Sequence, residues 1–380
     1  MRRPRLRPVL DDLTAYQPGP AVRSAGVHTH LLEANESPHD PPSGVVEAVA
    51  AAVAAANRYP DFHGAALIRD LATLYRVSDD QIALGAGSVS LLQMLFQAVA
   101  EPGAEVLHAW RSFELYPVLA ELAGVRSGRI PLVRDVHDLR AMADAVTSRT
   151  RMVIVCNPNN PTGTVVHRTE FEDFLDRVPP DCVVALDEAY REYVRDPDAP
   201  DGLSLRRGRP NVVVLRTFSK AYGIAGLRAG YLIGDPYIVT RLRTACLPFS
   251  VSTAAQAAAI AALQARDEVR KRVDAVVAER ARMRTTLLDG GWEVPASEAN
   301  FLWLRLDGAS SAFGQWCDER GIGVRVFPDE GVRVSVGAEE SNNAFLDAAA
   351  AWQVRMGSMA HCGLPAAADV DLHGCAGLTW

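Results

Sequence analysis

The chain has 380 residues, 48% of them hydrophobic and 22% charged, which suffices for one large α/β unit with a smaller companion and excludes disorder, collagen and small disulfide scaffolds. Its 39 basic residues stand against 46 acidic ones, a net charge of −7, so no basic field is available for nucleic acid or an anionic membrane, and a small-molecule partner is expected. Of the 39 basic residues 37 are arginine, and only Lys220 and Lys271 are lysine.

No stretch approaches the roughly 18 to 20 apolar residues that span a bilayer. The opening MRRPRLRPVLDDL is basic but lacks the apolar block of a secretion signal. Six scattered cysteines read as free thiols, and together these features point to the cytoplasm.

From about residue 80, apolar runs of strand length alternate with stretches of helical spacing. Strands are predicted at 81–84, 105–109, 152–156, 182–186, 212–215 and 230–233, and helices at 88–100, 114–123, 138–146 and 169–177. Near-continuous apolar strands between helices imply an α/β fold whose large domain carries a mostly parallel sheet covered by helices on both faces. A charged helical stretch at 267–288, then ANFLWLRL, a helix at 311–320 and the strands GIGVRVF and GVRVSVG suit a smaller α+β domain. The expected division is an N-terminal arm at 1–40, a large domain at 41–265, a small domain at 266–356 and a flexible Gly- and Ala-rich tail at 357–380.

Four segments and two further arginines carry candidate chemistry. RTFSKAYGIAGLRAGY follows the apolar run VVVL, so Lys220 falls at a strand end, where α/β proteins place their sites. Its amine could form a Schiff base with a carbonyl cofactor, while Thr217, Ser219 and Arg228 could hold a phosphate; the alternative is a surface lysine in a Gly-rich loop. CVVALDEAY places Asp187 at the end of an apolar run, where a carboxylate could bond a protonated ring nitrogen or merely cap a turn, and Tyr190 follows three residues on. In NPNNPTG, Asn157 offers an amide at a strand end, or the loop is a plain structural turn. GAGS, ending in Ser88, precedes a helix whose N-terminus suits an anion. Arg325 and Arg333 lie on predicted strands of the small domain, where either could grip a carboxylate or stand as an ordinary half-exposed arginine.

Taken together, NES, NRYPD, GAGS, AWRSFELYP, NPNNPTG, DEAY, RTFSKAYGIAGLRAGY and GVRVSVG, in this order from Leu31 to Trp352, resemble the pyridoxal-phosphate aminotransferases of fold type I. The likeness is to the histidinol-phosphate group and its aromatic, phenylalanine-type relatives. It implies that Lys220 holds pyridoxal 5'-phosphate in the cofactor-binding large domain, that Asp187 pairs with the ring nitrogen, and that Asn157 and Tyr190 bind the ring hydroxyl. Phe113 would stack on the ring. Ala86, Gly87, Ser88, Thr217, Ser219 and Arg228 would hold the phosphate, with Tyr59 reaching in from the second subunit of a homodimer that shares its active sites. Arg333 would take the substrate α-carboxylate, with Arg325, Asn35 and His39 near the substrate.

The implied activity moves an amino group between an aromatic amino acid or histidinol phosphate and a 2-oxo acid. Another reaction on the same cofactor, by a decarboxylase, oxidase or lyase, is the alternative, and a non-catalytic binding module is a lesser one. Val89 and Ser90 stand where many histidinol-phosphate enzymes have an acidic residue, which favours the aromatic branch. The tail residues His361, Cys362, His373 and Cys375 match no usual zinc spacing, so no metal is expected.

Overall fold

The computed structural model describes residues 7–13 and 30–361. These divide into two compact units, one holding residues 7–13, 36–278 and 296–300, the other residues 30–35, 279–295 and 301–361. The division differs from the sequence reading. The boundary expected at 265 falls instead after residue 278, inside the helix Arg266–Asp289. The change to charged composition there marks a helix with one buried stripe, including Val269, Val273 and Val276, and not a linker. Residues 36–40 of the expected arm belong to the larger unit, and helix Glu339–His361 runs through the expected start of the tail. Cys362, His373 and Cys375 lie outside the described residues.

In chain order the strands are β1 (His30–Leu31), β2 (Ile82–Gly85), β3 (Glu105–Trp110), β4 (Arg126–Val133), β5 (Val136–His137), β6 (Thr150–Cys156), β7 (Val183–Asp187), β8 (Val212–Thr217), β9 (Gly230–Ile233), β10 (Phe301–Arg305), β11 (Ile322–Gly323), β12 (Arg325–Phe327) and β13 (Gly331–Ser335). The larger unit is built on eight of them, ordered β2-β9-β8-β7-β6-β3-β4-β5. β4, β3, β6, β7 and β8 are mutually parallel, while β9, β2 and β5 run antiparallel to their neighbours.

The Val- and Leu-rich central strands are buried on both faces. One face packs Phe96, Tyr116 and Leu119 from the helices Ser88–Val99 and Leu115–Ala123. The other packs Leu139, Phe171 and Phe174 from the helices Leu139–Asp144 and Arg168–Arg177. Sequence reading missed β4 because RSGRIPLV alternates in exposure and contains a proline, as suits a strand whose far side meets only the two-residue β5.

In the smaller unit, β10-β13-β12 form an antiparallel sheet and β1 pairs in parallel with β11. Leu302, Leu304, Val326, Val332 and Val334 alternate with Phe301, Trp303, Arg325 and Arg333, so the two arginines share one sheet face. Among the described residues, no helix is long and apolar enough to cross a membrane.

Candidate active site

The larger unit brings the expected loops to one edge of its sheet. Cys156 lies opposite Asp187, and Asp187 opposite Leu215, so Asn157 and the segment from Thr217 to Lys220 leave β6 and β8 at the edge where β7 ends. Asp187 is buried; its Oδ2 accepts a hydrogen bond from the Tyr116 hydroxyl at 2.8 Å, while Oδ1 is buried with no hydrogen-bond partner among the described residues. Burial pushes the Asp187 carboxyl up to about 6, against the opposing pull of the Tyr116 bond.

Asn157 donates its backbone N–H to the Asp187 carbonyl at 3.0 Å. Its side-chain Oδ1 accepts from the Val166 amide at 3.0 Å, which identifies the oxygen and leaves Nδ2 as a donor. Tyr190 is buried three residues beyond Asp187, and Phe113 meets the Tyr116 ring edge-on at 5.5 Å.

The anion-binding expectation has a concrete geometry. Gly85 lies opposite Gly230, and Gly230 opposite Thr217, so GAGS and the lysine loop leave neighbouring strands. A Cβ on Gly230 would sit 2.7 Å from both Gly87 C and Ser88 N, so glycine alone lets β9 approach the GAGS backbone this closely. A Cβ on Gly87, at φ +78°, would strike the Arg228 guanidinium. Arg228 Nη1 donates to Ser219 Oγ at 3.0 Å, and Thr217 Oγ1 lies 3.0 Å from the same oxygen. A guanidinium, two hydroxyls and the uncapped N-terminus of helix Ser88–Val99 therefore converge, which is the donor set a phosphate dianion requires.

Lys220 is half-buried directly after Ser219, and its carbonyl accepts from Gly223 N–H at 3.0 Å. A Cβ on Gly223 would lie 3.4 Å from the Ser37 side chain and 3.9 Å from the His39 carbonyl, so the His39 segment packs beside the lysine loop. Partial burial lowers the His39 pKa. Tyr59 is 81% exposed and stacks on Phe249 at 4.5 Å, with Phe62 edge-on to the same ring.

Arg333, Arg325 and Asn35 belong to the smaller unit. Arg333 lies directly opposite both Arg325 and Trp303 and is bonded to the Glu33 carbonyl. The Asn35 amide donates to Ser335 Oγ at 2.8 Å.

Three features escaped the sequence reading. Tyr116, inside the AWRSFELYP segment, was given no role, although a hydroxyl on the apolar face of a predicted helix must find a buried acceptor. Glu188, next to Asp187, is gripped by Arg216. Asn159 knits the NPNNPTG loop together: its Oδ1 accepts from Ser112 Oγ at 2.8 Å and from His137 Nε2 at 3.0 Å, and its Nδ2 donates to the Arg111 carbonyl and to Thr162 Oγ1.

These residues fit pyridoxal phosphate on two counts. The buried, unpartnered Asp187 Oδ1 matches a protonated ring nitrogen, and the Gly87–Arg228–Ser219 cradle matches the phosphate. The sequence profile of the family "Aminotransferase class I and II" matches residues 28–349. The chain is 53% identical over 352 residues to an aromatic amino acid aminotransferase of Thermobifida fusca, covering 93% of this chain and 98% of that one. It is 52% identical over 344 residues to one of Streptomyces coelicolor, covering 90% and 96%. Among solved structures, histidinol-phosphate aminotransferase from Sinorhizobium meliloti in complex with pyridoxal-5'-phosphate superposes with a TM-score of 0.85 at 26% identity, covering 93% of this chain and 99% of that one.

The chain belongs to the class I and II aminotransferases, of fold type I. It is a pyridoxal-phosphate-dependent aminotransferase.

Proposed function

We propose that this enzyme moves the amino group of an aromatic amino acid to a 2-oxo acid. The observation that carries the chemistry is the buried Asp187 with one oxygen committed to Tyr116 and the other unpartnered. The aromatic donor is supported by relatives of that name at about half identity over nine-tenths of the chain, against 26% for the histidinol-phosphate enzyme.

When bound, pyridoxal phosphate supplies an electrophilic carbonyl and an electron-accepting ring. Arg228, Ser219, Thr217, Ser88 and the backbone at Ala86 and Gly87 anchor the phosphate. Asp187 holds negative charge against the ring nitrogen and keeps it protonated, Asn157 Nδ2 and the Tyr190 hydroxyl hold the ring oxygen, and Phe113 covers the ring and excludes water. Lys220 would hold the cofactor through its amine, and its Nζ would be the base that takes up the substrate α-proton and returns it. Arg333 is assigned the substrate α-carboxylate and Arg325, opposite it on the same sheet face, the distal end of the substrate, with Asn35 and His39 as further candidate substrate residues. The working unit is a homodimer with shared sites, supported by the exposed cluster of Tyr59, Phe62 and Phe249 on the larger unit. Cys156, Cys182, Cys246 and Cys317 are free thiols, which suits a reducing cytoplasm.

A panel of phenylalanine, tyrosine, tryptophan and histidinol phosphate, each with a 2-oxo acid and scored by keto-product formation, tests the substrate reading. The three aromatic donors are expected to lead in kcat/KM. Preference for histidinol phosphate would overturn it.

A further inference from the structure

Of the two adjacent carboxylates at the end of β7, Glu188 has a guanidinium, whereas Asp187 has the Tyr116 phenol and, with a smaller effect, the Ala189 backbone. Glu188 Oε2 accepts from Arg216 Nε at 2.9 Å and Nη2 at 2.7 Å, and its Oε1 accepts from the Gly202 amide at 2.8 Å. The same guanidinium also reaches Asp201 at 3.0 Å. Arg216 is thus fully committed away from Asp187.

The groups around Asp187 are named quickly. Tyr116 faces it from the helix Leu115–Ala123, Cys156 from β6 and Glu188 from its own strand. Burial pushes the Cys156 thiol up to about 12 and, on the far side of the Tyr116 ring, the His108 imidazole down to about 4, so neither is charged at neutral pH. The Tyr116 hydroxyl is fully buried, its ring wedged between Phe113 at 5.5 Å and His108 at 5.7 Å. Complete burial keeps water from it, and the two flanking rings confine it.

We propose that Tyr116 is a positioning residue for the cofactor: by donating to Oδ2 it fixes the rotation of the Asp187 carboxylate, presents Oδ1 to the ring nitrogen, and holds the carboxyl ionised where no cation does so. The inference rests on the reading that Asp187 meets that nitrogen. Phenol in place of guanidinium matters chemically, because a permanent cation on Asp187 would compete with the ring nitrogen for its charge.

The test measures the affinity of the apo-protein for pyridoxal phosphate from pH 5 to 9 in the wild type, Tyr116→Phe, Leu119→Ala and Asp187→Ala. A hydrogen bond to a charged group shifts a pKa by about one to two units. The acid limb of cofactor affinity is therefore expected about one pH unit or more higher in Tyr116→Phe than in the wild type. Leu119→Ala, a buried position on the same helix whose side chain has no hydrogen to donate to Asp187, lowers the melting temperature without moving that limb. An unmoved limb in a folded Tyr116→Phe protein overturns the proposal. Should that variant fail to fold, 3,5-difluorotyrosine at position 116 alone keeps the shape and strengthens the donor. The limb must then move to lower pH, and no movement overturns the proposal equally. Asp187→Ala separates the two layers: undiminished affinity there overturns the underlying reading, whereas lost affinity there with an unmoved Tyr116→Phe limb overturns this inference alone.

Discussion

Arg216 places Nε and Nη2 on a single oxygen of Glu188, Oε2, at 2.9 and 2.7 Å, and both side chains are almost wholly buried. The pair ties the end of β8, which leads into the lysine loop, to the end of β7, which carries Asp187. Replacing Arg216 by Met leaves a buried carboxylate without its cation and is expected to cost about 3–5 kcal/mol of unfolding free energy. Adding Glu188→Gln should recover part of that loss. Urea unfolding of the single and double variants checks both values.

Asp187 also governs the pH dependence of the apo-protein. Burial raises its folded-state pKa to about 6 from an ordinary 3.8, so the folded form holds the proton more tightly than the unfolded one. Its contribution is fully present below about pH 4 and is lost as pH rises toward 6, a change of about 3 kcal/mol. Relative to Asp187→Asn, the apo wild type should therefore lose stability across that window, and saturating cofactor should abolish the decline. Unfolding midpoints at stepped pH provide the comparison.

His137 acts with the opposite sign. Its pKa is driven down to about 4 by complete burial, while Nε2 holds Asn159 Oδ1 at 3.0 Å. Its stabilisation is present above about pH 6.5 and lost as pH falls toward 4, again about 3 kcal/mol. His137→Gln keeps a donor for Asn159 and should flatten the acid slope of stability in that range. A slope as steep as that of the wild type would count against this assignment.

Gly230 has no room for a methyl group against Gly87 and Ser88. In Gly230→Ala the GAGS turn must shift, and overpacking of about 1–3 kcal/mol is expected to lower cofactor affinity roughly tenfold or more. Equilibrium dialysis of pyridoxal phosphate against the apo-variant measures it.

Lys220→Ala is expected to abolish keto-product formation while the phosphate cradle still binds the cofactor reversibly. Borohydride should fix cofactor permanently to the wild-type chain and not to the variant, read as added mass. A variant turning over at near the wild-type rate would falsify the assignment.

Much of this was legible beforehand, because each functional segment directly follows an apolar run. The predicted strand at 230–233 coincides with β9, Asp187 ends β7, Asn157 directly follows β6, and Lys220 lies in the loop three residues past the end of β8. Strand β4 was illegible because its pattern is that of an exposed edge, and the helices Val45–Val53, Ala65–Tyr75 and Thr253–Gln264 carried no chemical signal that singled them out.

The sequence by itself determined the residue types, their order and their placement at strand ends, since alternating apolar runs and glycine-rich turns are local properties of the chain. It also showed Lys220 and Lys271 as the two lysines among 39 basic residues, and the role proposed for Lys220 needs a free amine that a guanidinium cannot supply. Only the tertiary structure decided what the two acids of DEAY do. Successive residues of a strand point to opposite faces, and the partners waiting there, Tyr116 from a helix and Arg216 from the neighbouring strand, are set by strand order and layer packing across distant parts of the chain. That nonlocal arrangement gives Glu188 its cation and leaves Asp187 with one oxygen unpartnered.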